Sequence, residues 1–173
     1  MSNDIATTER LRIRKWRADD VDAILAVYGD AEAMRWVGDG RPLQRADCLF
    51  WIDKNAANYR SRGYGMYAVE HREDRRVLGC CGLVHPDGQV EPELKYAFLR
   101  EHWGKGYAQE AARALLSYGS AHHALGFVIA TVAPDNRASL RVLEKIGMQV
   151  VEERTDDAGE REILLHWRPT ASQ

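Results

Sequence analysis

Three cysteines in 173 residues are too few to staple a fold, and their settings argue against pairing: Cys80 and Cys81 are neighbours in an apolar run, and Cys48 falls in a helical stretch. They read as buried thiols in a reducing compartment. No window approaches the roughly 18 consecutive apolar residues a membrane span needs, and the N-terminal MSNDIATTER lacks the apolar core of a secretory signal. A cytoplasmic location with no membrane partner is the expectation. Long basic runs are also missing, and the formal net charge is −2, so direct nucleic-acid binding is not expected. With no internal repeat, low-complexity segment or linker, residues 1–173 are expected to form one domain with residues 1–9 flexible. A chain of this length buries roughly 70% of the surface its unfolded form exposes, enough for a core without a staple.

Whole classes of chemistry are absent too. The six histidines form no HExxH and pair with no cysteine at zinc spacing, so no metal is expected. There is no GxSxG elbow for a serine nucleophile.

What is present is a strand that runs into a glycine loop, which in turn opens a helix: ELKYAFLREHWGKGYAQEAARALL, from Glu93. The turn Trp103-Gly104-Lys105-Gly106-Tyr107-Ala108 lets backbone approach a ligand, and the free N–H groups of the helix starting there suit an anion. The nucleotide-binding loops of that general shape do not fit. A Walker A loop needs Ser or Thr after its lysine, and Lys105 is followed by Gly106. A dinucleotide loop needs a third small residue where Gln109 stands and an acid after the next strand, where Ala130 to Ala133 is apolar. Gly63-Tyr64-Gly65 precedes a strand and has no helix behind it. Charge is uneven in the same region: from Lys95 to Lys145 there are seven Lys or Arg against four acids, leaving −5 for the remainder.

Along the chain, Arg10 to Trp16 alternates as a strand, and Asp19 or Asp20 then caps a helix with a stripe of Val21, Ile24, Leu25 and Tyr28. Gly29 to Pro42 is irregular but carries Met34, Trp36 and Val37, so it either packs over the core or lines a pocket. A helix follows over Leu43 to Arg60 and ends at Gly63. Tyr64–Glu70, Val77–Val84 and Val90–Leu99 read as an antiparallel meander. The helix after the glycine loop presents Ala108, Ala111, Ala112, Leu115 and Leu116, and the apolar Phe127 to Val132 completes a right-handed βαβ unit. A helix over Asn136 to Ile146 capped by Gly147, and a hairpin of Met148–Thr155 with Glu160–Trp167, close the chain.

ELKYAFLREHWGKGYAQEA followed by PDNRASLRVLEKIGM resembles the acetyl-CoA-binding core of the GNAT N-acetyltransferases, in particular the branch of ribosomal-protein N-terminal acetyltransferases and relatives that act on small amines. The resemblance implies an α/β (α+β) GNAT-like fold, a mixed and mostly antiparallel sheet of six to seven strands flanked by about four helices. It implies acetyl-CoA as acetyl donor, with no metal. Its pyrophosphate would lie on Trp103, Gly104, Lys105, Gly106, Tyr107 and Ala108, and its pantetheine arm along Phe98, Leu99 and Arg100, with Asn136 also in contact. Arg100, Lys105, Arg137 and Arg141 could neutralise phosphates, or else lie on a solvated surface. Two positions depart from the family. Glu101 begins the phosphate loop, a poor neighbour unless it turns outward, and Leu143 stands where many members carry a tyrosine acid. Ser139 is the available substitute.

The implied reaction is attack of a neutral amine on the thioester, with CoA leaving as thiolate. Glu93 is the candidate base, directly or through water, or a structural carboxylate; Ser139 is the candidate proton donor, or a helix-cap hydroxyl. Trp36, Tyr64 and Tyr67 are candidates for the acceptor pocket, or else core aromatics. The acceptor would be a small-molecule amine or a protein N-terminus, and the acidic remainder is compatible with a cationic one. A monomer or a homodimer is expected, since strand edges near Arg161 to Trp167 could pair. A non-catalytic acyl-CoA sensor of the same fold is the alternative.

Overall fold

The computed structural model describes residues 3–171. Eight strands form one sheet: β1 (Asp4–Thr7), β2 (Leu11–Arg14), β3 (Met66–His71), β4 (Val77–Val84), β5 (Glu93–Phe98), β6 (Val128–Val132), β7 (Gln149–Thr155) and β8 (Arg161–Trp167). Their spatial order is β1-β2-β3-β4-β5-β6-β8-β7. Every neighbouring pair is antiparallel except β5 with β6. Five helices complete the fold: α1 (Val21–Tyr28), α2 (Ala31–Met34), α3 (Arg45–Arg62), α4 (Tyr107–His123) and α5 (Arg137–Lys145).

The two-residue alternation of the strands sorts the interior into two clusters. Tyr67, Val69, Cys81, Leu83, Leu94 and Phe98 face α4 and α5, meeting Ala111, Ala112, Leu115 and Leu143. Met66, Ala68, Cys80 and Ala97 face the other way, beneath Ile24, Val27, Tyr28, Cys48 and Ile52 of α1 and α3. The alanine face of α4 lets the helix lie close to the sheet: Ala111 and Ala112 are fully buried, and a Cβ on Gly119 would come within 2.8 Å of Leu83 Cδ1. In α1 the buried stripe is Val21, Ile24, Val27 and Tyr28, with Leu25 only partly covered.

Three expectations are corrected. Asp4–Thr7 lies within the segment read as flexible, yet it pairs with β2, tied by Arg12 Nη2 to Asp4 Oδ1 at 2.6 Å and by Ile5 packing on the core; Met1 and Ser2 lie outside the described residues. The sheet has eight strands rather than six to seven, β1 being the addition. A fifth helix, α2, sits in the irregular stretch, capped by Asp30 accepting from the Glu32 N–H, and it buries Ala33 and Met34. Beneath α1 a buried guanidinium, Arg14, is held between Glu70 and Asp20, whose oxygens lie 2.7 and 2.9 Å away. Its charge is satisfied on both sides, as burial demands. Among the described residues no helix is long and apolar enough to cross a membrane.

Candidate active site

Strands β5 and β6 are joined at one register position, Glu93 with Ile129, where the Ile129 N–H reaches the Pro92 carbonyl at 2.9 Å. Beyond it they part. The Leu99 N–H bonds the Leu78 carbonyl at 2.9 Å, so the alternation along β5 turns the peptide groups of Tyr96 and Phe98 away from β4 and toward the gap. A cleft of about 1330 Å³ opens there. Unpaired strand amides beside a slot of this kind are made for an extended, amide-bearing ligand, which can bond to the backbone as a further strand would.

The end of the slot is set by local sequence. After β5 a tight 3-10 turn, Arg100–His102, swings the chain round, and Trp103 Nε1–H donates to the Phe98 carbonyl at 2.8 Å, pinning the loop to the strand. Gly104 and Gly106 take φ of +72° and +81°, conformations that cost other residues free energy. Gly106 is also the N-cap of α4, so the first amides of that 17-residue helix are unpaired within it and face the cleft at Tyr107, Ala108 and Gln109. Helix dipole and free amides together favour an anionic group such as a pyrophosphate.

Of the residues expected to hold a cofactor, Phe98, Trp103, Gly104, Gly106, Tyr107, Ala108, Asn136, Ser139 and Arg141 line the cleft together. Leu99, Arg100 and Lys105 do not. Leu99 turns to the second cluster, and Arg100 Nε donates to Asp30 Oδ2 at 2.6 Å, tying the loop to α2. Lys105 contributes its carbonyl to Arg10 Nη1 at 2.8 Å. Glu101 is turned outward, its side chain 68% exposed and 3.2 Å from His102 Nε2, so it does not oppose an anion in the loop. Leu143 is buried against the core and also lines the cleft, so it presents an apolar side chain to the slot at this position.

Glu93 is 3% exposed and lies just beneath the cleft surface. Its carboxylate accepts from Thr131 Oγ1 at 2.7 Å and Gln89 Nε2 at 3.2 Å, and pairs with Lys95 Nζ at 2.7 Å. Lys95 and Thr131 line the cleft in front of it. On the opposite side of the sheet, Asn136 Oδ1 caps α5 by accepting the Ser139 N–H at 3.2 Å, and Ser139 Oγ sits 2.6 Å from the Tyr96 phenol. The site therefore places a carboxylate on one side of the slot and a hydroxyl on the other.

The aromatic expectations divide. Trp36 is 40% exposed and lines the cleft beneath a stacked Arg35 guanidinium. Tyr64 and Tyr67 do not line it. Tyr67 is fully buried, its ring stacked on Tyr59 at 5.2 Å, and burial pushes its phenol well up. Tyr64 is buried and bonds His85 Nε2 at 2.8 Å, its phenol also raised by burial. The cleft walls are mixed in sign, with Arg41, Lys54, Arg62, Lys95 and Arg161 set among Asp39, Asp87, Asp156, Glu160 and Glu162, so charge does not single out a cationic acceptor. Sequence reasoning missed Lys95, Thr131, Trp51 and the Tyr96 side chain. The signal for Trp51 was available: with Lys54, Asn55 and Asn58 it makes one face of α3 that is polar where a packed helix is apolar.

Comparison with known proteins agrees with this geometry. Residues 10–149 match the family model described as acetyltransferase (GNAT) domain. The chain is 35% identical over 144 residues to the uncharacterized protein YkkB of Bacillus subtilis, covering 82% of this chain and 83% of that one. A GNAT-family acetyltransferase of Bacillus anthracis superposes with a TM-score of 0.81 at 28% identity, covering 94% of this chain and 96% of that one. RimL, described as a ribosomal L7/L12 alpha-N-protein acetyltransferase and solved with coenzyme A, shares the fold with a TM-score of 0.80 at 15% identity, over 95% of this chain and 97% of that one. A glycine loop that opens a helix at the end of a parted strand pair, matched by the family model over most of the chain, shows that the protein belongs to the GNAT family of acetyltransferases.

Proposed function

We propose that the protein moves the acetyl group of acetyl-CoA to a primary amine, on a small molecule or a protein N-terminus, by direct attack with both substrates bound. The observation that carries this reading is the parting of β5 from β6 after a single register position, which leaves a slot with strand amides on its edge and the α4 N-terminus at its end. When bound, acetyl-CoA supplies the activated thioester. The chain supplies the rest. The amides of Tyr107, Ala108 and Gln109 would hold phosphate, with Arg141 adding charge. The Tyr96 and Phe98 amides would hold the extended arm and polarise the carbonyl.

Glu93 would take the amine proton through a water, because Lys95 and Thr131 stand between it and the cleft. How much this matters depends on the acceptor. An α-amino group of pKa about 8 is roughly one-tenth neutral at pH 7, whereas a lysine-type amine near 10.4 costs about 4.6 kcal/mol to deprotonate there. The Lys95 cation beside the acceptor path further disfavours a charged amine. Ser139 would donate a hydrogen bond to the departing thiolate. The ribosomal-protein branch, with its N-terminal acceptors, is supported by the two sequence motifs; a cytoplasmic location agrees with the cysteine usage.

The test is thiol release from acetyl-CoA against N-terminal peptides, amino acids, polyamines and aminoglycosides. Rapid release with one class is expected. Tight CoA binding without turnover on any of them would overturn catalysis in favour of an acyl-CoA sensor.

A further inference from the structure

The cleft contains a contact between two hydroxyls that the reaction as described leaves without a role. Tyr96 Oη and Ser139 Oγ lie 2.6 Å apart, close for any hydroxyl pair. Tyr96 stands on β5 on the side of the sheet that carries α4 and α5, so its phenol reaches the first turn of α5. There the Ser139 N–H is already fixed by Asn136 Oδ1. The serine is thus held at its amide by one neighbour and at its hydroxyl by another, and both Tyr96 and Ser139 line the slot.

A serine hydroxyl is a poor terminal acid. An alkanol is about as weak an acid as water, while a thiol titrates near 8.5, so outright transfer from serine to a thiolate runs far uphill. What the serine can do is donate a hydrogen bond, and that bond strengthens when its own oxygen accepts one from a better donor. A phenol is such a donor. Burial pushes the Tyr96 phenol well up, against the opposing pull of its Ser139 bond, so it keeps its hydrogen throughout the neutral range. The other acceptor within reach, the Ser139 carbonyl, is 3.4 Å away, the poorer partner by distance.

We propose that Tyr96 is a positioning residue for acetyl transfer: its O–H donates to Ser139 Oγ, and the Ser139 hydrogen is thereby aimed at the sulfur of the departing thiol. The two hydroxyls form a short chain that solvates the thiolate. The electron pair of the broken C–S bond stays on sulfur, no proton crosses the chain, and the thiolate takes its proton from water, balanced by the one the amine releases. This inference rests on the reading of Ser139 as the donor to the thiolate.

The test needs no acceptor amine. CoA carrying ¹³C beside its sulfur is bound to the full-length protein, and the thiol is titrated by NMR in the wild type, Tyr96→Phe, Ser139→Ala and the double variant. The bound thiol is expected to titrate below free CoA in the wild type. Ser139→Ala is expected to raise it by about one unit and Tyr96→Phe by about half a unit, with the double variant matching Ser139→Ala because the pair acts as one unit. A thiol moved by Ser139→Ala but not by Tyr96→Phe would overturn the role of Tyr96 and leave Ser139 in place. A thiol untouched by Ser139→Ala would overturn the Ser139 reading itself, and additive shifts would mean that Tyr96 reaches sulfur alone. If Tyr96→Phe folds poorly, 3-fluorotyrosine placed at position 96, a more acidic phenol of nearly the same shape, is expected to lower the thiol value; no change would overturn the chain.

Discussion

Glu93 commits its carboxylate to Lys95, Thr131 and Gln89, and this determines how it can serve an amine. In the proposed reaction a base so engaged would act through a water at its edge, and it would matter only while the amine is protonated. Glu93→Gln is therefore expected to lower kcat/KM by about 10² at pH 6.5 and by much less at pH 9, with the acid limb of the rate profile moving toward the acceptor's own pKa. The pH–rate profiles of the two proteins check this, and a loss that is the same at every pH would assign Glu93 to structure alone. At this scale the sequence was a mixed guide. The positions of Glu93, Asn136 and Ser139 in the fold were legible because motif spacing fixes them on a strand end and a helix start. Tyr64 and Tyr67 were not, because an aromatic near a strand start declares its size and not its side: Tyr67 falls in register with Val69, on the side that α4 covers.

The loop from Trp103 to Ala108 works through its backbone, so its sensitive positions are those whose conformation only glycine adopts easily. Gly106 caps α4 at φ +81°, and a Cβ there would come within 3.3 Å of Arg10 Nη2, on a guanidinium held by Glu110 and the Lys105 carbonyl. The cost of Gly106→Ala is backbone strain of roughly 1–2 kcal/mol together with this tight contact, relieved by re-aiming the first amides of the helix. KM for acetyl-CoA is expected to rise several-fold with kcat little changed, and steady-state kinetics at saturating amine reads the split. Local elements of this kind were readable since strand, glycine turn and helix follow one another within a few residues. The strand β1 was not, since DIAT carries little alternation and becomes a strand only by lying against β2 and the Arg12 side chain. Helix α2 hid for a similar reason: four residues are too few to show a period.

For the whole molecule, the groups shifted downward act in one direction. Burial lowers His123, with His122 adding to it, and burial lowers His102. Burial alone would raise Glu110 and Asp30, but hydrogen bonds from Thr8 and Arg10 to Glu110, and from Arg100 and the α2 amides to Asp30, outweigh it and hold both low. In each case the unfolded chain binds the proton more readily, so the stability these groups contribute is present above their unfolded values and is lost as pH falls. The melting temperature is expected to decline first below about pH 6.5, as the histidines take up protons and become charged, and again below about pH 4.5, as the carboxylates take up protons and lose their charge. A melt series from pH 8 to pH 3.5 checks it, with His123→Phe removing part of the first step. Bulk charge, by contrast, misled: a net −2 said nothing of a cleft whose walls mix both signs residue by residue. The parting of β5 from β6 has one more consequence. A sheet ordinarily exposes its unpaired backbone only at its outer strands, where other chains can add to it and start an aggregate. Here two such edges lie in the middle of the sheet, facing each other across a wedge that narrows to nothing at Glu93. A recruited strand needs about 4.8 Å of clearance on each side, and the paired register at Glu93 closes the wedge to it at that end. The molecule thus keeps its most adhesive backbone inside the sheet, where it is reached only through the open end of the slot and not along an outer edge.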